Sequence, residues 1–404
     1  MNRIEVIARA SSLHQQREIV RLKKHLLADI SAFCSFDLHE VDFPSGEALA
    51  AVLVLSGGVE REVLKLVSQL PSPTLLIAHS GHNSLPACLE ILARIRQEGG
   101  EGQILLGSPE TIARELTLEL QVASAWERLR FSRVGLIGTP SEWLVASDLE
   151  RAFLKGRLGI DLVQIEMKEL IERIESTTPS KKDITRFTRA AQGEAEPSKE
   201  ELHQAVAVYT ALHTLVEEHR LAAFTVRCFD LVSRLQNTGC YALSRLNDER
   251  IPAGCEGDLQ ALFSLYLAVL LSGEAAFMGN IASVEPTTNK IVLAHCSCPL
   301  SLGTHYAIRS HFESGLGVGI AVTFSDGPCT LFRLGGVRLD QLFIRQGVIE
   351  GALERDDLCR TQVTLSVTDP VSPLLTAPLG NHHILIPGHY REAIERFFER
   401  YLRP

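Results

Sequence analysis

No stretch of the 404 residues stays apolar for the roughly 20 positions that a bilayer span requires. The longest apolar run, residues 259–271, is short and is interrupted by Gln260 and Ser264. Membrane partners are therefore not expected. The chain also lacks a basic face. Its formal net charge is −9, and the cluster Arg21, Lys23, Lys24 falls on a helix-like segment that reads as a solvated surface. A protein that tracks phosphates needs a positive stripe, so nucleic-acid binding is not expected. The opening residues, MNRIEVIARA, alternate like a strand and do not have the charged end and apolar core of a secretory leader, so a cytoplasmic location is expected. There are nine cysteines, an odd number, without a CxxC pair, and Cys296 and Cys298 are too close for a typical zinc pair. That usage suits reduced thiols. Nucleotide and hydrolase signatures are missing as well: there is no GxGxxG after a strand, no GxxxxGK[ST] and no GxSxG. The glycine-dense segment 315–319 (GLGVG) lies where no helix follows to offer its N-terminus to phosphate, and it reads as a close-packed strand.

What is present suits a packed, folded chain: 45% hydrophobic and 22% charged residues. The first part alternates apolar strands (4–8, 51–55, 74–78, 103–106) with helical stretches such as 15–30 and 85–97. That pattern predicts a parallel sheet covered by helices on both faces. A second unit of the same kind begins near Arg133 with VGLIG (134–138), continues with a strand over 161–167, and ends in AAFTVR (222–227). The polar stretch 177–200 reads as an exposed insertion, and residues 198–201 as a capping box ahead of a long helix. From Lys290 the chain changes to β-rich segments separated by Gly and Asp turns, which predicts an antiparallel sheet or barrel, with a closing helix over 390–402. The expected architecture is α/β: two Rossmann-like α/β domains (1–127 and 128–275), each with a parallel sheet, and a β-rich C-terminal domain (276–404).

Candidate chemistry gathers at strand ends, where open α/β sheets bind ligands. The turn after the strand at 74–78 holds His79, His82 and Asn83, which read either as site residues or as good turn formers. Cys255-Glu256-Gly257-Asp258 sits between a strand and an apolar helix. Carboxylates there suit cation ligation or proton transfer, although Asp258 also suits a helix cap. His295 ends an apolar strand, and His382-His383 opens another. Adjacent residues on extended backbone point to opposite sides, so one of these two histidines faces any given pocket.

Four segments carry a family resemblance: GCEGDL (254–259), AAFMGN (275–280), LAHCSCP (293–299) and GNHHILIPG (380–388). In this order they resemble the L-fucose and L-arabinose isomerases, and more closely the shorter L-fucose isomerase-related proteins, over residues 220–404. The N-terminal part matches only in α/β character. The resemblance implies an aldose–ketose isomerase that works through an enediol with a divalent metal, manganese. It carries Glu256 over as metal ligand and base, and His295 as a ligand. A late ligand comes from Asn381-His382-His383, with His382 preferred over His383. At the family's second carboxylate this chain has FMGN (277–280), without an acid. Asn280 would then lend a carbonyl oxygen, or Glu285 or Asp258 would take the role. Glu285 or Asp230 would shuttle the hydroxyl proton. Arg227, Asn280 and His295 are candidates to hold sugar hydroxyls, with Asp258 and His383 beside them. His79, His82 and Asn83 would reach in from a neighbouring copy of a trimer or hexamer. Two alternatives accompany this reading. One is an isomerase of a sulfonated or phosphorylated sugar, its anion held by Arg227, Arg234 or Arg309; the other is a non-catalytic sugar-binding regulator.

Overall fold

The computed structural model describes residues 3–46 and 48–403. They form two compact units, Met1–Ser124 and Ala125–Pro404.

In the first unit, Arg3–Arg9 (β1), Asp37–Glu40 (β2), Ala50–Val54 (β3), Thr74–Ile77 (β4) and Gly102–Leu105 (β5) form a sheet of order β2-β1-β3-β4-β5. Every pairing in it is parallel. β3 reads AAVLV and is buried throughout, as a central parallel strand covered on both faces should be. β2, DLHE, is a largely exposed edge strand without an apolar run, and the sequence pattern does not reveal it.

The second unit opens with Arg133–Ile137 (β6), Asp161–Ile165 (β7), Ala223–Val226 (β8) and Ala253–Cys255 (β9). These give a second parallel sheet of order β7-β6-β8-β9. The helix Lys199–His219 starts at the expected capping box: Ser198 accepts from the Glu201 N–H, and the Glu201 carboxylate accepts from the Ser198 N–H.

The rest of the unit is β-rich: Phe277–Glu285 (β10), Lys290–His295 (β11), Gly303–Arg309 (β12), Gly319–Phe324 (β13), Gly327–Gly335 (β14), Gln341–Ala352 (β15), Thr361–Val367 (β16) and His382–Pro387 (β17). Six of these close into an antiparallel barrel, β10-β11-β16-β15-β14-β17, and β17 pairs back onto β10. β12 and β13 form a separate ribbon. Inward-facing Phe277, Leu293, Leu331, Val363, Leu365 and Leu385 fill the barrel core. The helix Leu259–Ser272, buried at every residue but its last, packs on its wall.

Two sequence expectations change. The GLGVG segment is a turn, not a strand. Gly315 and Gly317 hold φ of +65° and +56°, which only glycine adopts without strain, and β13 begins at Gly319. The closing helix is α-helical over Arg391–Phe397 and widens into a π-helical turn over Phe398–Leu402.

Candidate active site

The site forms where the parallel sheet of the second unit meets one end of the barrel. β8 and β9 are neighbours with Val226 opposite Cys255, so both strands end at the same level. Glu256 follows immediately. Its φ of +61°, with +74° at Gly257, turns the chain sharply into the helix at Leu259. A glutamate held in left-handed backbone is uncommon, and such strain concentrates at functional sites. The turn is locked from outside. The Ser141 N–H donates to the Glu256 carbonyl at 2.9 Å, and the Gly257 N–H to Val226 at 3.1 Å. A Cβ at Gly257 would stand 2.7 Å from Pro140 Cα, so no larger residue fits there.

The barrel supplies the other half. His295 ends β11 and His382 begins β17, and strand pairing brings both to the same end of the barrel. Their rings lie 5.5 Å apart. His382 is wholly buried and directs Nε2 at Glu256 Oε1, 3.7 Å away. That exceeds a hydrogen-bond length, so the contact is electrostatic and Nε2 has no hydrogen-bond partner. On its other side, Nδ1 lies 3.0 Å from Asp258 Oδ2. His295 Nδ1 is likewise engaged, by Ser297 Oγ at 2.8 Å. The remaining Glu256 oxygen accepts the Trp143 indole N–H at 2.5 Å.

Asp258 does two jobs. Oδ1 caps the helix by accepting the Ala261 N–H at 2.8 Å, and Oδ2 faces both His382 and Arg333. Arg333 is fully buried, 3.4 Å from Asp258, and donates to the His382 carbonyl, Ser147 Oγ, Gln260 Oε1 and the Leu379 carbonyl. An arginine in the apolar strand CTLFRLGG was the sequence signal for this anchor, since a charged residue is buried only when paired.

The charge states follow from these contacts. Burial alone would raise the Glu256 carboxyl; the His382 charge and the Trp143 hydrogen bond outweigh it and hold the group at about 2. Burial would lower His382, but Asp258 and Glu256 raise it to about 9. Burial, together with the His382 charge, lowers His295 to about 3. Arg333 and His382 keep Asp258 below its ordinary value against the opposing effect of burial.

The loop between β12 and β13 completes the surroundings. His311 is buried, held by Ser314 Oγ at 3.0 Å, and its ring meets Phe229, which in turn meets Trp143. Burial and the Arg360 charge lower His311, and Glu256 opposes them. Glu313 is exposed at the rim, yet crowding by its neighbours and the Glu256 charge raise its carboxyl. Trp143, His311 and Glu313 had no local motif to identify them.

The other nominated residues lie elsewhere or are already engaged. Both Asp258 oxygens are used by protein groups, so none faces a substrate. Asn280 stands opposite His382 in the β10–β17 register and accepts from Asn381 at 2.7 Å. Glu285 is five residues further along β10, roughly 17 Å at ~3.4 Å per residue, where its carboxylate caps the hairpin turn through Thr287. His383 faces the opposite side, against Phe343, with Nδ1 on the Asn381 carbonyl. Arg227 is held by Glu142 and Asp230, so neither Arg227 nor Asp230 has a free charge. Arg309 is paired with Glu196, while Arg234 is exposed. His79, His82 and Asn83 belong to the first unit. His79 has both ring nitrogens occupied, by the Leu55 carbonyl and the Gly81 N–H. His82 and Asn83 are consecutive left-handed residues leading into the helix Ser84–Gln97.

Cys255, Glu256 and His295 bring ligand atoms within 4.8 Å of one another, a group that could hold a cation, and His382 faces Glu256 from beside that group. The unpartnered, buried His382 Nε2 aimed at Glu256 fits such an ion. No helix among the described residues is long and apolar enough to cross a membrane.

No family model matches the chain. Among curated proteins it is similar to several named sulfoquinovose isomerase. It is 25% identical to that of Clostridium sp. (strain MSTE9) over 248 residues, 57% of this chain and 54% of the relative. It is 22% identical to that of Alkalicoccus urumqiensis over 255 residues, 60% and 56%. It is 22% identical to that of Priestia aryabhattai over 309 residues, 71% and 67%. The chain thus spans between about half and two thirds of the length of these relatives.

Proposed function

We propose that the chain is an aldose–ketose isomerase acting on a sulfonated sugar, with a divalent cation, manganese, held by Glu256, His295 and His382. The observation that carries this reading is the Asp258–His382–Glu256 line, in which a buried carboxylate fixes an imidazole whose free nitrogen faces a second carboxylate. Similarity to sulfoquinovose isomerases supports the reaction class and favours a sulfonated sugar over a plain deoxysugar.

Isomerisation moves a proton between C1 and C2 and another between O1 and O2. When bound, the cation would polarise the two sugar oxygens and lower the cost of charge on them. Glu256 and the two histidines would fix it, and Asp258 would keep His382 in the required orientation. A carboxyl held at about 2 is a weak base at neutral pH, so Glu256 suits the ligand role better than proton transfer. Glu313, raised by the neighbours that crowd it and by the Glu256 charge, differs from it in the way that acid–base partners differ. We assign the carbon-bound proton to Glu313 and the hydroxyl proton to His311, whose lowered pKa keeps it neutral. Trp143 screens the Glu256 oxygen from water.

The test is a panel of aldoses, sulfonated and unsulfonated, assayed for ketose with Mn²⁺ present, comparing wild type with Glu256→Gln and Glu313→Gln. The expected result is turnover of the sulfonated sugar by wild type. Glu256→Gln should lose bound ion and turnover together. Glu313→Gln should keep the ion and lose turnover by about 10²-fold or more. If wild type forms no ketose from any member, the isomerase reading fails.

A further inference from the structure

None of the nine cysteines has a part in the reaction above, yet five come from distant points of the chain to lie around the site: Cys228, Cys240, Cys255, Cys296 and Cys359. One close contact is between Cys228, two residues past β8, and Cys255, the last residue of β9. Their sulfurs lie 3.0 Å apart. Both are free thiols, and they are 7% and 3% exposed. The Cys255 sulfur, a Glu256 carboxylate oxygen and a His295 ring nitrogen also lie within 4.8 Å of one another, all three residues buried.

We propose that Cys228, Cys255, His295 and Glu256 form a site for a thiophilic cation of the zinc and cadmium class, overlapping the place of the hard ion. Cys255, Glu256 and His295 already converge, and Cys228, which lies outside that 4.8 Å group, would swing in from its contact with Cys255 to complete two sulfurs, one nitrogen and one oxygen, a four-ligand set of the kind that zinc takes tetrahedrally. With metal–sulfur bonds of about 2.3 Å, two thiolates on one tetrahedral ion stand roughly 3.8 Å apart. The present pair would therefore separate by less than about 1 Å. Each thiol releases its proton to solvent as its sulfur–metal bond forms, and no redox change occurs. Oxygen-preferring ions do not need the sulfurs, and thiolates select the softer ions over manganese. The parallel pairing of β8 with β9 makes the site possible, because it sets the two strand ends side by side one residue before Glu256.

A soft ion seated there takes Glu256 and His295 away from the hard ion, and so it inhibits turnover. That consequence rests on the isomerase reading; the binding does not. The experiment titrates the metal-free 404-residue chain with Cd²⁺ and follows the thiolate-to-cadmium charge-transfer absorption, alongside the ¹¹³Cd resonance, which reports how many sulfurs the ion carries. The expected result is one tightly bound ion carrying two sulfurs in wild type. The absorption should fall by about half in Cys228→Ser and in Cys255→Ser, and should be lost in the double variant. The alanine pair and far-ultraviolet circular dichroism check that the fold is kept. The wild-type resonance alone decides the matter if the variants fail to fold. Absence of charge transfer in wild type, a resonance of an ion without two sulfurs, or full absorption in a folded double variant would overturn the proposal. Binding without any isomerase activity would count against the isomerase reading and leave this site standing.

Discussion

Replacing Asp258 by asparagine removes one charge from a place where nothing can make up for it. Asp258 and Arg333 are both fully buried, 3.4 Å apart. Removing one member of a buried pair costs about 3–5 kcal/mol, because the other charge stays out of water. Two features reduce the loss. Asparagine caps a helix about as well as aspartate, and Arg333 keeps its bonds to Ser147, Gln260 and the Leu379 and His382 carbonyls. The expected loss is therefore near the lower end, about 3 kcal/mol. At roughly 2–4 °C per kcal/mol for a unit of this size, the melting midpoint should fall by about 6–12 °C. The same change frees His382 Nδ1, and losing such an orienting partner weakens ion binding by roughly 10–100-fold. Thermal unfolding and Mn²⁺ titration calorimetry read the two effects independently. A variant that melts within about 2 °C of wild type and binds Mn²⁺ equally well would refute both the buried-pair and the orienting roles.

Other expectations concern the same residues. In metal-free protein His382 is raised from 6.5 to about 9, so its contribution is complete below pH 6.5 and is lost as pH rises through about 9. Glu256 is lowered from 4.5 to about 2, so its contribution is complete above pH 4.5 and is lost as pH falls toward 2. The melting midpoint of metal-free protein should therefore decline between pH 7 and 10, and His382→Gln should flatten that decline; an unchanged slope would exclude His382 as its source. Because a protonated His382 must release its proton to bind an ion, Mn²⁺ binding at pH 7.5 should release about one proton, read as a dependence of the calorimetric heat on the buffer. Trp143 lies against Glu256 and is 52% exposed, so its fluorescence should change as Mn²⁺ binds, and Trp143→Phe should abolish most of that change and leave Trp126 as background. Gly257→Ala places a methyl 2.7 Å from Pro140 Cα on left-handed backbone, so it should cost roughly 1–3 kcal/mol in denaturant unfolding and weaken Mn²⁺ binding as well.

The parallel sheets were legible because their strands are short, continuous apolar runs between turn residues. AAVLV in β3 and RVGLI in β6 are examples. DLHE in β2 was not, since an edge strand needs no apolar face. The C-terminal β segments were visible one at a time, but barrel closure depends on β17 returning to β10, a pairing across about a hundred residues that no local pattern encodes. The site divides in the same way. Glu256, His295 and His382 each stand at a strand end with a recognisable neighbourhood, and the structure places them together. Glu285 and Asp230 were equally plausible as isolated acids, but hydrogen bonds to Thr287 and Arg227 engage them. Trp143, His311 and Glu313 sit in loops whose sequence reveals nothing of their aim, because the fold of distant strands sets it.

The left-handed backbone at Glu256 also shapes how any mutational survey of this protein will read. A saturation library at position 256 tests two properties together: whether the newcomer supplies an oxygen, and whether its main chain accepts that bend. Valine or isoleucine would fail on the second count whatever the first required, while asparagine and glycine accept the bend most readily. Those two substitutions, beside glutamine, separate loss of the ligand from distortion of the turn.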